Sequence, residues 1–222
     1  MKVVRFNFLI SVFFIAGCLL SCSINAAEDQ ADLNRQALAA GRSGNVSNFK
    51  SLIEQGAAPD TRNRVGDSLL MTAIKSGYMD IFTLLIAHGA NVNLANVDHV
   101  TPLMAAAYFG RPQMAQVLID KQADVTAVDQ MHKTAMVYAA GKGQTEIVES
   151  LLRTKKVFLD TAYENGLTAL MWAGASGYVP TTQALLSHGA DKSLVDNRGK
   201  TVLQMAAENG YLDVVNLLQV SK

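Results

Sequence analysis

Cysteine is almost absent from this sequence: the chain has two cysteines, Cys18 and Cys22, and both lie near its N-terminus. The remainder of the chain therefore has no thiol with which to form an internal disulfide or a thiolate metal site. Such a lack is compatible with export, because it prevents mispairing in an oxidising compartment. A disulfide framework and a cysteine-ligated metal centre are thus excluded from the body of the protein.

An excess of charge of either sign is also missing, since 19 lysines and arginines face 19 acidic residues. Lys2 and Arg5 belong to an N-terminal segment that we expect to be removed, and without these two residues 17 basic residues remain against the 19 acidic ones. Nucleic-acid binding draws its affinity from clustered positive charge. We therefore expect no nucleic-acid partner.

An apolar run occupies residues 6–20, after the basic Lys2 and Arg5 and before the small and polar residues SCSINAAEDQ. Basic, apolar and short polar regions in this order are typical of a secretory signal. The run is shorter than the ~20 residues of a membrane-spanning helix, and it contains Asn7 and Ser11. We therefore predict a signal peptide over residues 1–27 and export to the periplasm or cell envelope, with secretion as a further outcome.

The end of this signal is compatible with two kinds of processing. Ala26 and Ala27 suit ordinary signal-peptidase cleavage. The segments that end at Cys18 and Cys22 also resemble the bacterial lipoprotein box, in which the cysteine becomes lipidated. The polar Ser23 favours Cys22, although Leu20 is atypical for the box. Both routes stay open, and we expect membrane contact only through such a lipid anchor or an uncleaved signal.

Blurred copies of the segment TPLMAAAYFG, residues 101–110, recur along the chain at intervals of 33 residues, with one interval of 34. Its first position recurs at Arg35, Ser68, Thr101, Thr134, Thr168 and Thr201. Five residues later the chain always has alanine: Ala40, Ala73, Ala106, Ala139, Ala173 and Ala206. Nine residues later it has glycine (Gly44, Gly77, Gly110, Gly143, Gly177, Gly210), and seventeen later leucine (Leu52, Leu85, Leu118, Leu151, Leu185, Leu218). The chain is therefore a tandem array of structural repeats.

Each column predicts one feature of a repeat. Thr101 can cap a helix by accepting a backbone N–H, and Pro102 follows at a position that needs no N–H. Gly110 supplies the left-handed residue that ends this short helix, and small alanines allow neighbouring helices to approach closely. A second helix over residues 113–120 has apolar residues at helical spacing. Each unit is therefore helix, turn, helix and loop, and it buries its apolar faces only in a stack.

These motifs resemble the ankyrin repeat, whose TPLHxAA, glycine, LL and GAD/N signature corresponds to TPLMAAA, Gly110, Val117-Leu118 and QAD in this chain. The resemblance covers roughly residues 33–220 and implies an all-α ankyrin-repeat solenoid of about six repeats behind the signal peptide. We place the repeat domain at residues 28–222, with repeats at about 30–62, 63–95, 96–128, 129–162, 163–195 and 196–222. Repeat four lacks the GAD turn and contains the extra residue, so we expect a longer or reshaped loop there. Arg35 suggests that repeat one is a terminal cap.

Two columns could suggest metal or pH chemistry. His99 and His132 occupy the same position in successive repeats, and the equivalent position elsewhere holds Gly66, Gly166 and Gly199, which indicates a tight turn. Imidazole suits metal binding and pH sensing. Met71, Met104 and Met171 form a column of soft thioethers, although methionine at helical spacing more often fills a core. The sequence provides no complete ligand set, so we predict no metal site, no cofactor and no catalytic residue.

Apolar and aromatic residues recur at positions where, by the resemblance, ankyrin repeats bind partners on the concave face made by loop tips and first helices. They fall in the middle three repeats: Val97, Tyr108, Phe109, Met131, Tyr138, Leu167 and Trp172. Contiguous exposed apolar patches are unusual, and aromatics dominate binding hot spots. The alternative for Tyr138 and Trp172 is packing between the helices of their own repeats. We predict a protein-binding patch at these seven residues.

The function that this sequence favours is that of a monomeric, non-enzymatic module. It would bind a protein partner in the periplasm or cell envelope, as an accessory or inhibitor of an exported protein. One alternative is a secreted effector that binds host proteins. A second, from another class, is a metal- or pH-responsive module that uses His99, His132 and the methionine column.

Overall fold

The structure is a computed structural model, and it describes residues 27–220. The predicted signal peptide, including Cys18 and Cys22, lies outside the described residues and stays a prediction. Within the described range, no helix combines the length and the apolar character needed to cross a membrane.

Residues 27–220 contain twelve α-helices and one 3-10 turn, which are joined by loops. This part of the chain contains no β-strand. In chain order the helices are α1 (27–43), α2 (Val46–Glu54), α3 (Leu69–Ser76), α4 (Met79–Ala87), α5 (Pro102–Phe109), α6 (Pro112–Asp120), α7 (Ala135–Gly141), α8 (Thr145–Arg153), α9 (Ala169–Ala175), α10 (Val179–Ser187), α11 (Val202–Glu208) and α12 (Leu212–Val220). The 3-10 turn spans Glu164–Gly166, between α8 and α9. The helices form six successive pairs, which confirms the predicted all-α class.

In repeats two to six, the first helix begins directly after the predicted capping residue. Thr101 Oγ1 accepts the backbone N–H of Met104 at 3.3 Å, and Pro102 is the first residue of α5. Gly110 ends this helix with a left-handed φ of 62°. Ser68, Thr134, Thr168 and Thr201 cap the equivalent helices in the same way. Repeat one differs because Arg35 lies inside α1, so no helix begins at its slot.

The alanine and leucine columns form the core that joins the repeats. All six alanines and all six leucines are buried. Fully burying one leucine side chain stabilises the fold by about 1.5–3 kcal/mol. First helices α3, α5, α7, α9 and α11 contact one another in succession, and so do second helices α6, α8, α10 and α12. The result is a two-layer stack in which repeats contact their neighbours, as in other solenoids.

A tyrosine or a long polar side chain follows the helix-ending glycine and packs over the glycine of the preceding repeat. A Cβ added to Gly177 would lie 2.6 Å from Tyr211 Cδ1, and one added to Gly143 would lie 2.5 Å from Tyr178 Cδ1. Glycine is therefore required at these positions for close approach as well as for its left-handed φ. These tyrosines therefore have a structural role in the contact between successive repeats.

The loop after α8 is reshaped, as the insertion in repeat four predicts. At other loop tips, an Asn or Asp side chain accepts the backbone N–H groups two and four residues later; these residues are Asn63, Asn96, Asp129 and Asp196. Tyr163 occupies this position in repeat five, and a tyrosine cannot accept both bonds. The backbone forms the 3-10 turn there instead, with Asn165 at φ 66°.

Candidate functional site

The face formed by the first helices and the loop tips carries an aromatic cluster at the C-terminal end of α5. Tyr108 and Phe109 are 43% and 40% exposed, although neighbouring residues of α5 are buried. Their ring centroids are 5.1 Å apart in an edge-to-face arrangement. The Tyr108 ring also meets the Tyr138 ring edge-on, at 5.9 Å. Aromatic residues from two successive repeats therefore form one continuous surface.

Tyr138 is fixed in this cluster by a buried carboxylate. Its hydroxyl donates a hydrogen bond of 2.5 Å to Asp129 Oδ2, and Asp129 is itself buried. Asp129 also accepts the backbone N–H groups of Met131 and Lys133. Burial, together with the hydrogen bond and charge of Asp129, raises the pKa of Tyr138 well above its usual range. The Tyr138 ring is half-buried and its hydroxyl is held by Asp129, so it forms one wall of the site.

Trp172 forms the opposite wall of the same site. Its indole stacks on the ring of Tyr163 with a centroid distance of 6.3 Å and an interplanar angle of 26°. Gly141 of the preceding repeat faces the indole, and a Cβ at this position would lie 3.1 Å from Trp172 Cε3. The glycine therefore allows the indole to pack closely against α7. Among the described residues, neither Trp172 Nε1 nor the Tyr163 hydroxyl has a hydrogen-bond partner, although both atoms are buried.

Two lysine ammonium groups lie over these rings. Lys142 Nζ is 4.5 Å from the Tyr108 ring centroid. Lys133 Nζ is 5.8 Å from the Tyr163 centroid and 5.9 Å from that of Trp172. These distances are within the range of cation–π attraction. Within residues 27–220, neither ammonium group forms an ion pair with a carboxylate.

These side chains enclose a groove of about 140 Å³, which we call the aromatic groove. Its lining consists of Tyr108, Lys133, Val137, Tyr138, Gly141, Lys142 and Trp172. A cavity of roughly 150 Å³ holds a molecule the size of benzene. The aromatic groove is therefore large enough for one bulky side chain, with two cations at its edges.

A second, more open groove of about 320 Å³ follows between repeats five and six. Trp172 separates the two grooves, and Leu167 lines the second one. Arg198 and Glu208 contribute charged groups to its lining. The same face thus continues beyond Trp172 with a more polar surface.

The structure brings together part of the predicted patch. Tyr108, Tyr138 and Trp172 line the aromatic groove, Phe109 contacts Tyr108, and Leu167 lies in the adjacent groove. Val97 and Met131, 57% and 43% exposed, lie at loop tips and line neither groove. Val97 instead packs on the preceding turn, where a Cβ at Gly66 would lie 2.9 Å from its Cγ1. Two of the seven residues thus lie outside the groove linings, although Met131 Sδ accepts a hydrogen bond of 3.7 Å from Lys133 Nζ, and the binding patch itself stays a prediction.

Sequence reasoning missed the two lysines and Tyr163 as members of this site. Lys142 stands beside Gly141 at the position equivalent to Phe109, so its column already indicated the concave face. Tyr163 carried a clearer signal, because it replaces the Asn or Asp found at the other tips. The ring contacts themselves depend on side-chain directions between repeats, which the columns do not specify.

The candidate metal and pH residues have other roles in the structure. His99 and His132 adopt left-handed φ values of 60° and 59°, at the turn position that glycine fills in other repeats. Both are exposed, whereas Met71, Met104 and Met171 are buried in the core. The methionines therefore cannot join the histidines in one site. No group of three or more His, Cys, Asp or Glu residues within 27–220 is placed to hold a metal ion.

Stacked pairs of short helices joined by capped loops define the class of helical repeat solenoids. The chain belongs to the ankyrin-repeat family, because a family model described as ankyrin repeats (three copies) matches residues 37–129 and 136–222. The crystal structure of EF0377, an ankyrin repeat protein, is similar, with a TM-score of 0.76 and 26% identity over 85% of this chain and 98% of that one. Ankyrin repeats are protein–protein interaction modules, and the family is generally non-enzymatic.

Similarity to curated proteins is local. Human NAD-capped RNA hydrolase NUDT12 is 41% identical over 64 residues, which are 29% of this chain and 14% of the human protein. Mouse protein phosphatase 1 regulatory subunit 27 is 38% identical over 73 residues, or 33% of this chain and 47% of that relative. The chain thus spans less than half the length of these relatives. The similarity extends to repeats and does not transfer an activity or a partner.

Proposed function

We propose that this protein is an exported, non-enzymatic binding module that holds a protein partner on its concave face. The contiguous surface of Tyr108, Phe109 and Tyr138, closed by Trp172, is the observation that carries the proposal. The module would work in the periplasm or cell envelope as an accessory or inhibitor of an exported protein. It would act as a monomer and without a cofactor.

The energetics of recognition support this surface as the binding site. Aromatic residues are enriched in interface hot spots, and contiguous exposed apolar surface is uncommon on a monomer. The groove walls are already held in place by the bond between Tyr138 and Asp129 and by the stacking of Trp172 on Tyr163. Binding would therefore have to order few side chains. Each side chain that binding does immobilise would cost about 0.5–1.5 kcal/mol.

The environment of the histidines supports a non-enzymatic role. His88 Nδ1 and His188 Nδ1 lie 2.9 Å from the carbonyl oxygens of Leu84 and Ala184, at the ends of their own helices. His99 and His132 fill left-handed turn positions. A nucleophilic site needs a base beside the nucleophile and a group that orients the base. All four histidines thus have structural explanations.

Export and anchoring rest on the N-terminal sequence. Lys2, Arg5 and the apolar residues 6–20 support translocation, and Cys22 or Cys18 would supply a lipid anchor if the signal is processed as a lipoprotein. Envelope fractionation of the full chain tests this part of the proposal. Detection inside host cells would favour the effector alternative instead.

Co-purification from the envelope fraction tests the binding role. The wild-type chain is compared with Tyr108→Ala/Phe109→Ala, whose side chains are exposed enough to be removed without loss of the core. Phe158→Ala is the matched control, because Phe158 is 77% exposed and lies outside both grooves. We expect a partner that the wild type and the control recover and the double variant loses, with unchanged helix content. Equal recovery by the double variant would place the interface elsewhere.

A further inference from the structure

We infer that the aromatic groove recognises an extended acidic segment of its partner, with a bulky apolar side chain at one position and carboxylates two residues before and two residues after it. This inference rests on the proposed function. It names the chemistry of the partner at the same site.

The charges of the groove differ from those of equivalent positions in other repeats. In repeat two, Asp67 just before the capping slot pairs with Lys75 seven residues after the slot, at 2.5 Å. In repeat six the same two positions hold Lys200 and Glu208, also paired at 2.5 Å. In repeats two and six, on either side of the groove, an intramolecular ion pair therefore neutralises the charges at these two positions.

Repeat four breaks this pairing at the groove itself. Lys133 occupies the position of Lys200, but the position of Glu208 is taken by Gly141. Lys133 consequently lies over Tyr163 and Trp172 instead of a carboxylate. Lys142, next to Gly141, lies over Tyr108. Both cations thus lack a carboxylate within the described part of the chain, and both line the groove.

A partner carboxylate would complement both lysines. An ammonium group has three donors, and contact with a ring face leaves donors available for an acceptor, even though Lys133 Nζ also donates to Met131 Sδ at 3.7 Å. Hydrogen bonds between ions of opposite charge are about twice as strong as neutral ones. Asp129, beside the groove, is buried and already accepts three hydrogen bonds, from the Tyr138 hydroxyl and from the backbone N–H groups of Met131 and Lys133. The exposed Asp98 lies at the neighbouring loop tip, outside the groove lining.

The spacing of the lysines gives the spacing of the acids. Lys133 lies two residues before α7 and Lys142 directly after it, so the seven-residue helix separates the backbones of the two lysines. At 1.5 Å per residue, this helix is about 10 Å long, so the backbones of the two lysines are roughly 10–13 Å apart. An extended peptide rises ~3.3 Å per residue and turns every second side chain to the same face. Side chains at positions one, three and five would therefore reach one lysine, the groove and the other lysine.

Selection from a library of random peptides tests this pattern. The library is selected on the full chain and counter-selected on the Tyr108→Ala/Phe109→Ala variant, so that groove-dependent peptides are retained. We expect enrichment of acidic residues two positions before and after a bulky apolar one. Groove-dependent peptides without acidic residues would overturn the acidic pattern and leave the proposed function intact. Failure to enrich any groove-dependent peptide would count against both.

Binding of a defined probe then tests the two lysines. The chain has a single tryptophan, Trp172, so its fluorescence reports directly on the groove. The probe peptide is Ser-Glu-Ser-Phe-Ser-Glu-Ser, with Lys-for-Glu and Ala-for-Phe versions as controls. We expect Lys133→Met and Lys142→Met each to weaken binding about tenfold, and rising salt to weaken wild-type binding. Lys121→Met, an exposed lysine outside the groove, is the matched control.

The outcomes of the probe experiment separate the alternatives. Equal binding of the Lys-for-Glu peptide, or full affinity of both lysine variants, would overturn the inference. If Lys121→Met weakens binding as much as the groove variants do, the effect is one of overall charge and the inference also fails. None of these results would contradict the proposed function, which is tested by the loss of the partner with Tyr108→Ala/Phe109→Ala.

Discussion

Tyr138 and Tyr163 lie on adjacent repeats and differ in the pairing of their hydroxyl groups. The Tyr138 hydroxyl donates to Asp129. The buried Tyr163 hydroxyl has no hydrogen-bond partner among residues 27–220. An unpaired buried polar group costs about 1–3 kcal/mol, whereas a paired one contributes about 0.5–1.5 kcal/mol. The same chemical change should therefore have opposite consequences at the two positions.

Removal of each hydroxyl tests this difference. Tyr163→Phe should leave the free energy of unfolding unchanged or raise it by up to about 1 kcal/mol, because an unpaired group is removed. Tyr138→Phe should lower it by about 1–2 kcal/mol, since Asp129 loses a donor. Urea unfolding of both variants measures the two values. A larger loss for Tyr163→Phe would show that its hydroxyl is paired.

Alkaline pH should reduce the contribution of Tyr138. Burial and Asp129 raise its pKa above the ordinary value of about 10. The folded chain therefore keeps this proton above pH 10, where the unfolded chain loses it, so the contribution is complete below that pH and falls as pH rises further. We expect the stability difference between wild type and Tyr138→Phe to shrink above about pH 10. Urea unfolding at neutral and alkaline pH checks this, and a constant difference would contradict it.

At the scale of helices and loops, the columns specified most of the fold. Thr101, Pro102 and Gly110 act through their own backbone neighbours, so their roles can be predicted from local chemistry. Arg35 shows the limit, because the column marks repeat one as atypical but does not predict that α1 continues through this slot. Tyr163 shows a second limit of the sequence. Its position in the repeat reveals that an Asn or Asp has been replaced, but not that the tyrosine stacks on the Trp172 ring.

Gly174 tests the packing between first helices. Helix propensity alone predicts that Gly174→Ala stabilises α9 by about 1 kcal/mol. A Cβ at Gly174 would, however, overlap Cγ2 of the buried, β-branched Val202 on α11. Overpacking costs about 1–3 kcal/mol, and valine is stiff in a helix, so we expect net destabilisation by about 1 kcal/mol.

A double-mutant cycle with Val202→Ala supplies the control for this prediction. Val202→Ala removes the methyl group that the new Cβ would meet. In that background, Gly174→Ala should lose its unfavourable effect, which gives a favourable coupling energy. Thermal or urea unfolding of the four chains measures the cycle. If the two changes in the free energy of unfolding are strictly additive, α9 and α11 move apart enough to accept the new Cβ without strain, and the prediction is wrong.

At the scale of the whole molecule, a ladder of hydrogen bonds links the loops of successive repeats. Asp60 Oδ1 accepts a hydrogen bond from the backbone N–H of Asn91 at 2.8 Å. In the same way, Asn93 Oδ1 accepts the backbone N–H of Asp124 at 2.8 Å, and Asp160 Oδ1 accepts that of Asp191 at 2.9 Å. Between repeats three and four, Thr126 Oγ1 donates to Asp124 instead. Within the described chain, no side-chain bond of this kind joins the loop of repeat three to the loop after α8. The ladder is thus interrupted on the side of this loop that faces repeat three, while Asp160 still links the loop to repeat five.

This interruption should make the loop after α8 the weakest internal loop of the array. We expect amide hydrogens of residues 154–162 to exchange with a lower opening free energy than those of the equivalent loops at 88–95 and 188–194. Native-state hydrogen exchange measures all three loops in one experiment. Equal protection would mean that the contacts of α8 with its neighbours hold this loop without the ladder.

The sequence by itself determined the repeat, its period, the helix starts and stops and the identity of the core, because each depends on neighbours along the chain. It also placed Tyr108, Tyr138 and Trp172 on one face, through their positions in the repeat. Tertiary structure decided which of them share a groove and that Val97 and Met131 lie outside it. It also decided that Lys133 and Lys142 turn toward aromatic rings. These features depend on side chains that meet across repeats about 33 residues apart, where helix spacing and the absent side chain of Gly141 set the contacts.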